Sequence, residues 1–236
     1  MSFITKLICA ILLALAAYST QASIVIDYDA SVLPNNHTPP FEFVQFSGTT
    51  ATINNNQLKL TTAPVRGIWF GYRPSANLPW SLGSNANGNY LSLTMKLSDQ
   101  ATDWSMYILD DTSNAGFSFD HDRVQFSSAD QSFDIQMDLT DDFHQFDIEL
   151  INGKVSFRID NQVYAYQHNA HPASSNPIML VGDGSGSTPT GTGSMTIDHF
   201  TYNGESNNTI PAIPEPGTIM ILALTSACLL RRNYQA

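Results

Sequence analysis

Short runs in which apolar and polar residues alternate recur along this chain, and between Ile24 and Asn203 nothing shows the wider spacing of an amphipathic helix. Ser23-Ile-Val-Ile-Asp-Tyr-Asp29 opens the series. Gln57-Leu-Lys-Leu-Thr61 and Tyr90-Leu-Ser-Leu-Thr-Met-Lys-Leu97 each put every second residue on an apolar face, and Ser105-Met-Tyr-Ile-Leu109 follows. Loops rich in Asn, Ser, Gly, Asp and Pro lie between these runs, as from Pro74 to Asn89. There is no repeat of fixed period. Many short strands joined by turn-rich segments predict an all-β sandwich or barrel.

The second half is more specific. Phe146, Ile148 and Leu150 share one strand face; Asn152-Gly153 supplies two residues that accept positive φ and so predicts a tight hairpin turn; Val155, Phe157 and Ile159 return the apolar face; Asp160-Asn161 starts another turn. Ile178-Met-Leu-Val-Gly-Asp-Gly-Ser185 then runs into a Gly/Thr/Ser loop and on to Gly193-Ser-Met-Thr-Ile-Asp-His-Phe-Thr-Tyr202. This succession resembles the concanavalin A-like, laminin G-like jelly rolls near their C-terminal half. There a hairpin ending in an Asp-Gly-type turn, here Asp160-Asn161, precedes an "iGdg" strand and a closing "iD-x-f-x-y" strand. The resemblance implies a concanavalin A-like jelly-roll β-sandwich over residues 23–204.

The two ends of the chain carry an address. Lys6, the apolar stretch Leu7 to Ala17 and the small-residue site Thr20-Gln21-Ala22 read as a signal peptide over residues 1–22. At the other end, a linker (205–213) leads to Pro214-Glu215-Pro216-Gly217, an apolar run from Thr218 to Leu230, and Arg231-Arg232. The apolar run is shorter than the roughly 20 residues that span a bilayer comfortably, which suits a transient anchor. The arginines would stay cytoplasmic, leaving everything upstream outside. Because Pro214 and Pro216 cannot continue a helix, a protease would meet extended backbone just before the membrane. The tail over 214–236 resembles the PEP-CTERM sorting signal of exported bacterial proteins. That resemblance implies an exosortase-type processing enzyme as partner, transient membrane insertion, and delivery to the cell envelope, surface or extracellular space. An uncut C-terminal anchor is the other reading.

Setting both ends aside changes the charge. Residues 23–214 hold 20 acidic and 7 basic residues, a net charge of −13. Such a domain repels nucleic acid and anionic headgroups and is compatible with neutral glycans, cations or basic surfaces. Cys9 and Cys228 both fall in the end segments, so the middle has no disulfide and no thiol nucleophile. Its length suffices for one domain stabilised by its core.

Candidate chemistry is sparse. Some jelly rolls of this superfold are glucanases, whose Glu-x-Asp-x-x-Glu motif supplies nucleophile and acid. The nearest string is Asp147-Ile-Glu149, with Gln145 where the first acid would stand and no third member. Retaining hydrolysis places its two carboxyls about 5 Å apart, and i, i+2 side chains on one strand face lie roughly 6–7 Å apart. That spacing does not exclude the pair, but the motif is incomplete, which makes catalysis a minority reading against a solvated polar face, and no enzyme is expected. Asp110, Asp111, Asp120 and Asp122 gather hard oxygens in a short stretch, as weak calcium sites of surface modules do; a calcium site and a solvated acidic loop are the two readings, and no other cofactor is expected. Among the aromatics, Tyr72, Trp80 and Trp104, with Asn87 nearby in sequence, are glycan-binding candidates. Trp80 leads because it follows Pro79 in a long polar loop; core packing is the competing reading for Trp104.

The sequence thus predicts a non-catalytic exported surface or matrix protein. The PEP-CTERM resemblance, whose members are often linked to exopolysaccharide, implies carbohydrate binding. A divergent glycoside hydrolase using Asp147 and Glu149 and a purely structural envelope protein are the alternatives.

Overall fold

The computed structural model describes residues 23–63, 67–82, 88–110, 112–173, 177–183 and 192–205. The expected signal peptide, linker and sorting tail, with Pro214, Glu215, Pro216, Arg231 and Arg232, lie outside the described residues, apart from the start of the linker at Glu205, which ends the last strand. Asn87 and Asp111 lie outside them as well.

The strands are β1 (Ser23–Tyr28), β2 (Glu42–Gln45), β3 (Thr50–Asn54), β4 (Gln57–Thr61), β5 (Ile68–Tyr72), β6 (Asn89–Leu97), β7 (Trp104–Leu109) and β8 (Ser113–Asp120). They continue as β9 (Arg123–Ser127), β10 (Ser132–Gln136), β11 (His144–Ile151), β12 (Lys154–Ile159), β13 (Gln162–Asn169), β14 (His171–Pro172), β15 (Ile178–Asp183) and β16 (Ser194–Glu205). The two helical segments among the described residues are three-residue 3₁₀ turns, so none is long and apolar enough to cross a membrane.

All pairings between these strands are antiparallel. The first sheet runs β13-β12-β11-β6-β16-β4-β3, with β1 also on β16; the second runs β10-β9-β8-β7-β15-β5-β2, with β14 on β8. The 12-residue β16 organises the first sheet: β6 lies along one side, while β4 and β1 share the other, pairing with Ser194–Ile197 and Phe200–Glu205. A register shift between Ile197 and His199 keeps Ile197, Phe200 and Tyr202 all buried.

Turn chemistry sets the register as the sequence predicts. Asn152 and Gly153 have φ of 51° and 70°, and Ile151 pairs with Lys154 around them. Asp160 and Asn161 do the same between Ile159 and Gln162, with φ of 48° and 66°. Asn55 and Asn56 close β3–β4 in the same way. Two consecutive positive φ values are what a type I′ hairpin needs.

Alternation then buries one face of each sheet. Phe146 and Phe157 from the first sheet meet Phe117, Phe119 and Phe126 from the second, ring centroids 4.6–5.5 Å apart. Tyr28, Phe41, Phe70, Trp80 and Phe200 form a further aromatic cluster in the same core. Edge-to-face arrangements of this kind dominate both groups, and each large ring buried brings a large apolar area out of water.

Candidate functional site

On its outer face the second sheet carries an open trough with a volume of about 580 Å³. It follows from small residues set between larger ones. Strict alternation along β7, β8 and β9 sends Met106, Ile108, Phe117, Phe119, Val124 and Phe126 inward, so Tyr107, Leu109, Gly116, Ser118, Gln125 and Ser127 face out. Tyr107 pairs with Gly116, Ser118 with Gln125, and Gln125 with Asp134. The floor over β8 and β9 is therefore glycine, serine and one glutamine. Tyr107 and Leu109 stand on one side, Ser132 and Asp134 of the edge strand β10 on the other. His171 on β14 pairs with Asn114 and closes one end.

The trough's polar groups are held in place. Gln125 donates through Nε2 to Asp134 Oδ2 at 3.2 Å, and His171 Nε2 lies 3.0 Å from Ser127 Oγ. Arg123 donates from Nε and a terminal nitrogen to Asp120 Oδ2 at 3.2 and 2.7 Å, and its other terminal nitrogen lies 3.8 Å from Asp134. Further along the same face, Arg73 forks onto the Glu42 carboxylate and sits 5.1 Å from the centre of the Trp69 ring. Burial raises the Tyr107 phenol above its ordinary pKa, and the Arg73 charge works against that rise. Tyr107 thus stays a neutral hydroxyl on an apolar ring.

The sequence-predicted aromatics are elsewhere. Trp80 is 1 % exposed, donates its indole N–H to the Pro40 carbonyl at 2.8 Å, and packs against Phe41, Tyr72 and Tyr202. Trp104 is fully buried and donates to the Thr192 carbonyl at 2.8 Å; Tyr72 is 8 % exposed. All three belong to the core, which corrects their assignment as a glycan platform. A polar loop sequence placed Trp80 outside, but the loop folds its one large ring inward because the sandwich offers it both apolar contacts and a carbonyl.

The acidic cluster is also dispersed. The expected loop from Asp110 to Asp122 is largely β8. Asp110 precedes that strand in the β7–β8 hairpin, while Asp120 and Asp122 sit at its far end, so the rise of eight extended residues separates them by roughly 23 Å. Asp110 Oδ1 accepts from Thr112 N, Thr112 Oγ1 and Ser113 N at 2.8–3.1 Å, which makes it a turn-stabilising carboxylate. Asp120 is taken by Arg123 and by the Asp103 N–H. Asp110 cannot join Asp120 and Asp122 in one site, and no group of three or more His, Cys, Asp or Glu among the described residues is placed to hold a metal.

Asp147 and Glu149 do share one face, on the outside of the first sheet. Asp147 is 3 % exposed and accepts from Tyr90 OH at 2.9 Å and Gln145 Nε2 at 3.0 Å; Glu149 lies 3.6 Å from the Arg158 guanidinium. The trough is on the other sheet, so these carboxylates do not line it. Sequence reasoning missed Tyr107, Asn114, Gln125, Asp134 and His171. Alternation along β7 and β8 marks which of them face one way, but which strands neighbour each other is not written in any local pattern.

No family model matches the chain, and no curated protein is similar to it. Solved structures share its architecture. The Crh5 transglycosylase in complex with NAG superposes with a TM-score of 0.50 at 14% identity, over 78% of this chain and 86% of that one. The Bacillus licheniformis β-glucanase does so at 0.45 and 13%, over 79% of this chain and 100% of that one. For the Trypanosoma rangeli sialidase in complex with sialic acid the TM-score is 0.48 at 15%, over 67% of this chain, which spans only 27% of that protein's length. Two face-to-face antiparallel sheets of this order make the domain a concanavalin A-like jelly-roll β-sandwich, the class that the hairpin and closing-strand pattern predicts.

Proposed function

We propose that this is an exported, non-catalytic carbohydrate-binding protein of the cell surface or extracellular matrix, with the trough over β8 and β9 as its glycan site. The observation that carries this reading is the trough itself. A volume of about 580 Å³ lies in the range of small-ligand sites, roughly 300–1,000 Å³, and such sites combine an apolar wall with a few placed polar groups. Tyr107 and Leu109 supply the wall, and Asn114, Gln125, Ser127 and Asp134 supply amide, hydroxyl and carboxylate partners for sugar hydroxyls. The leader at 1–22 and the Pro214-Glu215-Pro216 tail with Arg231 and Arg232 support export, transient membrane insertion and an exosortase-type processing partner. The net charge of −13 over residues 23–214 argues against nucleic acid.

The test is polysaccharide binding by the full chain and its Tyr107→Ala and Tyr107→Phe variants, with thermal unfolding as the check on folding. Tyr107→Ala is expected to weaken binding by more than about tenfold, the loss that follows from about 1.4 kcal/mol of contact energy, while Tyr107→Phe retains most of it. Binding by a folded Tyr107→Ala protein that equals the wild type would remove the trough from consideration. Export is tested by mass spectrometry of both termini of the protein taken from its cells.

The second reading, a glycoside hydrolase using Asp147 and Glu149, draws on one observation: a buried carboxylate beside an accessible one on the same strand face. Reducing-sugar release that disappears in Glu149→Gln would establish it; no release by the wild type leaves the binding reading in place.

A further inference from the structure

We infer that the glycan held in the trough is uncharged, a neutral polysaccharide rather than one bearing uronate or sulfate groups; this deepens the binding reading above and rests on it. An anionic sugar needs an available cation at its site, usually an arginine fork or a lysine. Among the described residues the outer face of the second sheet carries two arginines, Arg73 and Arg123, and at the end of the trough one histidine, His171, whose Nε2 lies 3.0 Å from Ser127 Oγ. Arg73 is neutralised by Glu42 and lies against Trp69. Arg123 gives two hydrogen bonds to Asp120 and has Asp134 as a second acid at 3.8 Å. Lys59, Lys96, Lys154 and Arg158 sit on strands of the first sheet.

The charge that does face the trough is negative. Asp134 stands on its β10 wall, 53% exposed, with one oxygen accepting from Gln125. A sugar carboxylate or sulfate there would meet a like charge with no unpaired arginine or lysine among the described residues of this face to offset it, inside a domain already at −13 over residues 23–214. A sugar hydroxyl instead finds in Asp134 a strong acceptor, and in Asn114, Gln125 and Ser127 groups that both donate and accept. Asp134 is thus the residue that selects against charge, and binding of the neutral ligand should be nearly indifferent to salt.

The experiment measures binding of the full chain to neutral polysaccharides (dextran, hydroxyethyl cellulose, laminarin, pullulan, galactomannan) and charged ones (dextran sulfate, carboxymethyl cellulose, alginate, pectate). Two of the pairs share a backbone and differ in charge. The expected result is that a neutral polysaccharide binds, that its charged counterpart binds at least about tenfold more weakly, and that a tenfold rise in salt changes the neutral affinity by less than about twofold. Asp134→Lys, with its thermal midpoint checked, is expected to gain charged-polysaccharide binding by about tenfold or more and to make that binding salt-sensitive. Preference for the charged members by the wild type, or no gain in a folded Asp134→Lys protein, overturns this inference and leaves carbohydrate binding standing. No binding to any member, charged or neutral, overturns both.

Discussion

Tyr107 stands directly across the β7–β8 ladder from Gly116, and a Cβ at position 116 would come within 2.5 Å of the Tyr107 Cβ and 3.0 Å of the Met106 carbonyl oxygen. Packed atoms do not approach that closely, so any side chain at 116 displaces the stem of the tyrosine or the backbone of a strand inside the sheet. The missing side chain gives the aromatic wall its position and leaves the floor beside it open.

Gly116→Ala is therefore expected to lower both stability and binding. Overpacking of a well-ordered site costs about 1–3 kcal/mol, readable as a shift of the urea midpoint with little change in slope. Glycan affinity should fall in the fraction that remains folded. A Gly116→Ala protein with wild-type midpoint and affinity would mean that Tyr107 and Gly116 are not as close as this geometry has them.

Trp80 tests the division between core and surface. Its replacement by alanine removes a ring packed against three other aromatics and strands the Pro40 carbonyl, for an expected loss of about 3–5 kcal/mol. Trp80→Phe should keep most of the packing and lose about 1–3 kcal/mol, the cost of an unpaired buried acceptor. Denaturant unfolding measures both. Folded protein of either variant is expected to bind glycan as the wild type does, and a selective loss of binding at unchanged stability would return Trp80 to the surface.

These two cases show what was legible in the sequence. Phe146, Ile148 and Leu150 against Val155, Phe157 and Ile159, with Asn152-Gly153 between them, predicted a hairpin whose register is the one found, because turn type and alternation are local properties. β8 is not legible: the outward positions of Asn114-Ala-Gly-Phe-Ser-Phe-Asp120 are Asn114, Gly116, Ser118 and Asp120, all residue types that read as a loop. Gly116 and Ser118 among them make the trough floor, so the signal that hid the strand is also the one that marks the site. Trp80 was misplaced for the opposite reason. The loop from Pro74 to Asn89 is rich in Asn, Ser, Gly and Pro, and the carbonyl and two of the rings that hold Trp80 come from Pro40, Phe41 and Tyr202, far away along the chain.

Calcium is expected to leave the domain unchanged. Asp110 stabilises the β7–β8 turn through three donors, and Asp120 is committed to Arg123 at the other end of β8. Adding chelator or calcium should not move the thermal midpoint or the glycan affinity. Asp110→Ala should still cost about 1–3 kcal/mol, because Thr112 N and Ser113 N lose their acceptor. A calcium-induced rise in midpoint that vanishes in Asp110→Ala would contradict this account.

His144 gives the fold a predictable pH dependence. Its Nδ1 lies 2.7 Å from Asp160 Oδ2 and its Nε2 3.4 Å from Asp141 Oδ1. Burial opposes the charged ring, but the hydrogen bond and charge of Asp160, joined by those of Asp141, outweigh it and lift the imidazole above its ordinary value of 6.5. A group whose folded pKa is raised binds its proton more tightly in the native state. Its stabilisation is therefore complete below the unfolded value and is lost as pH climbs through the higher folded one. Wild type should then exceed His144→Gln in thermal midpoint at about pH 5, with the gap closing above about pH 6.5 and flat once the ring is neutral. Thermal unfolding of both proteins across that range decides it, since a gap that widens with rising pH would mean that the carboxylates do not hold a proton on His144.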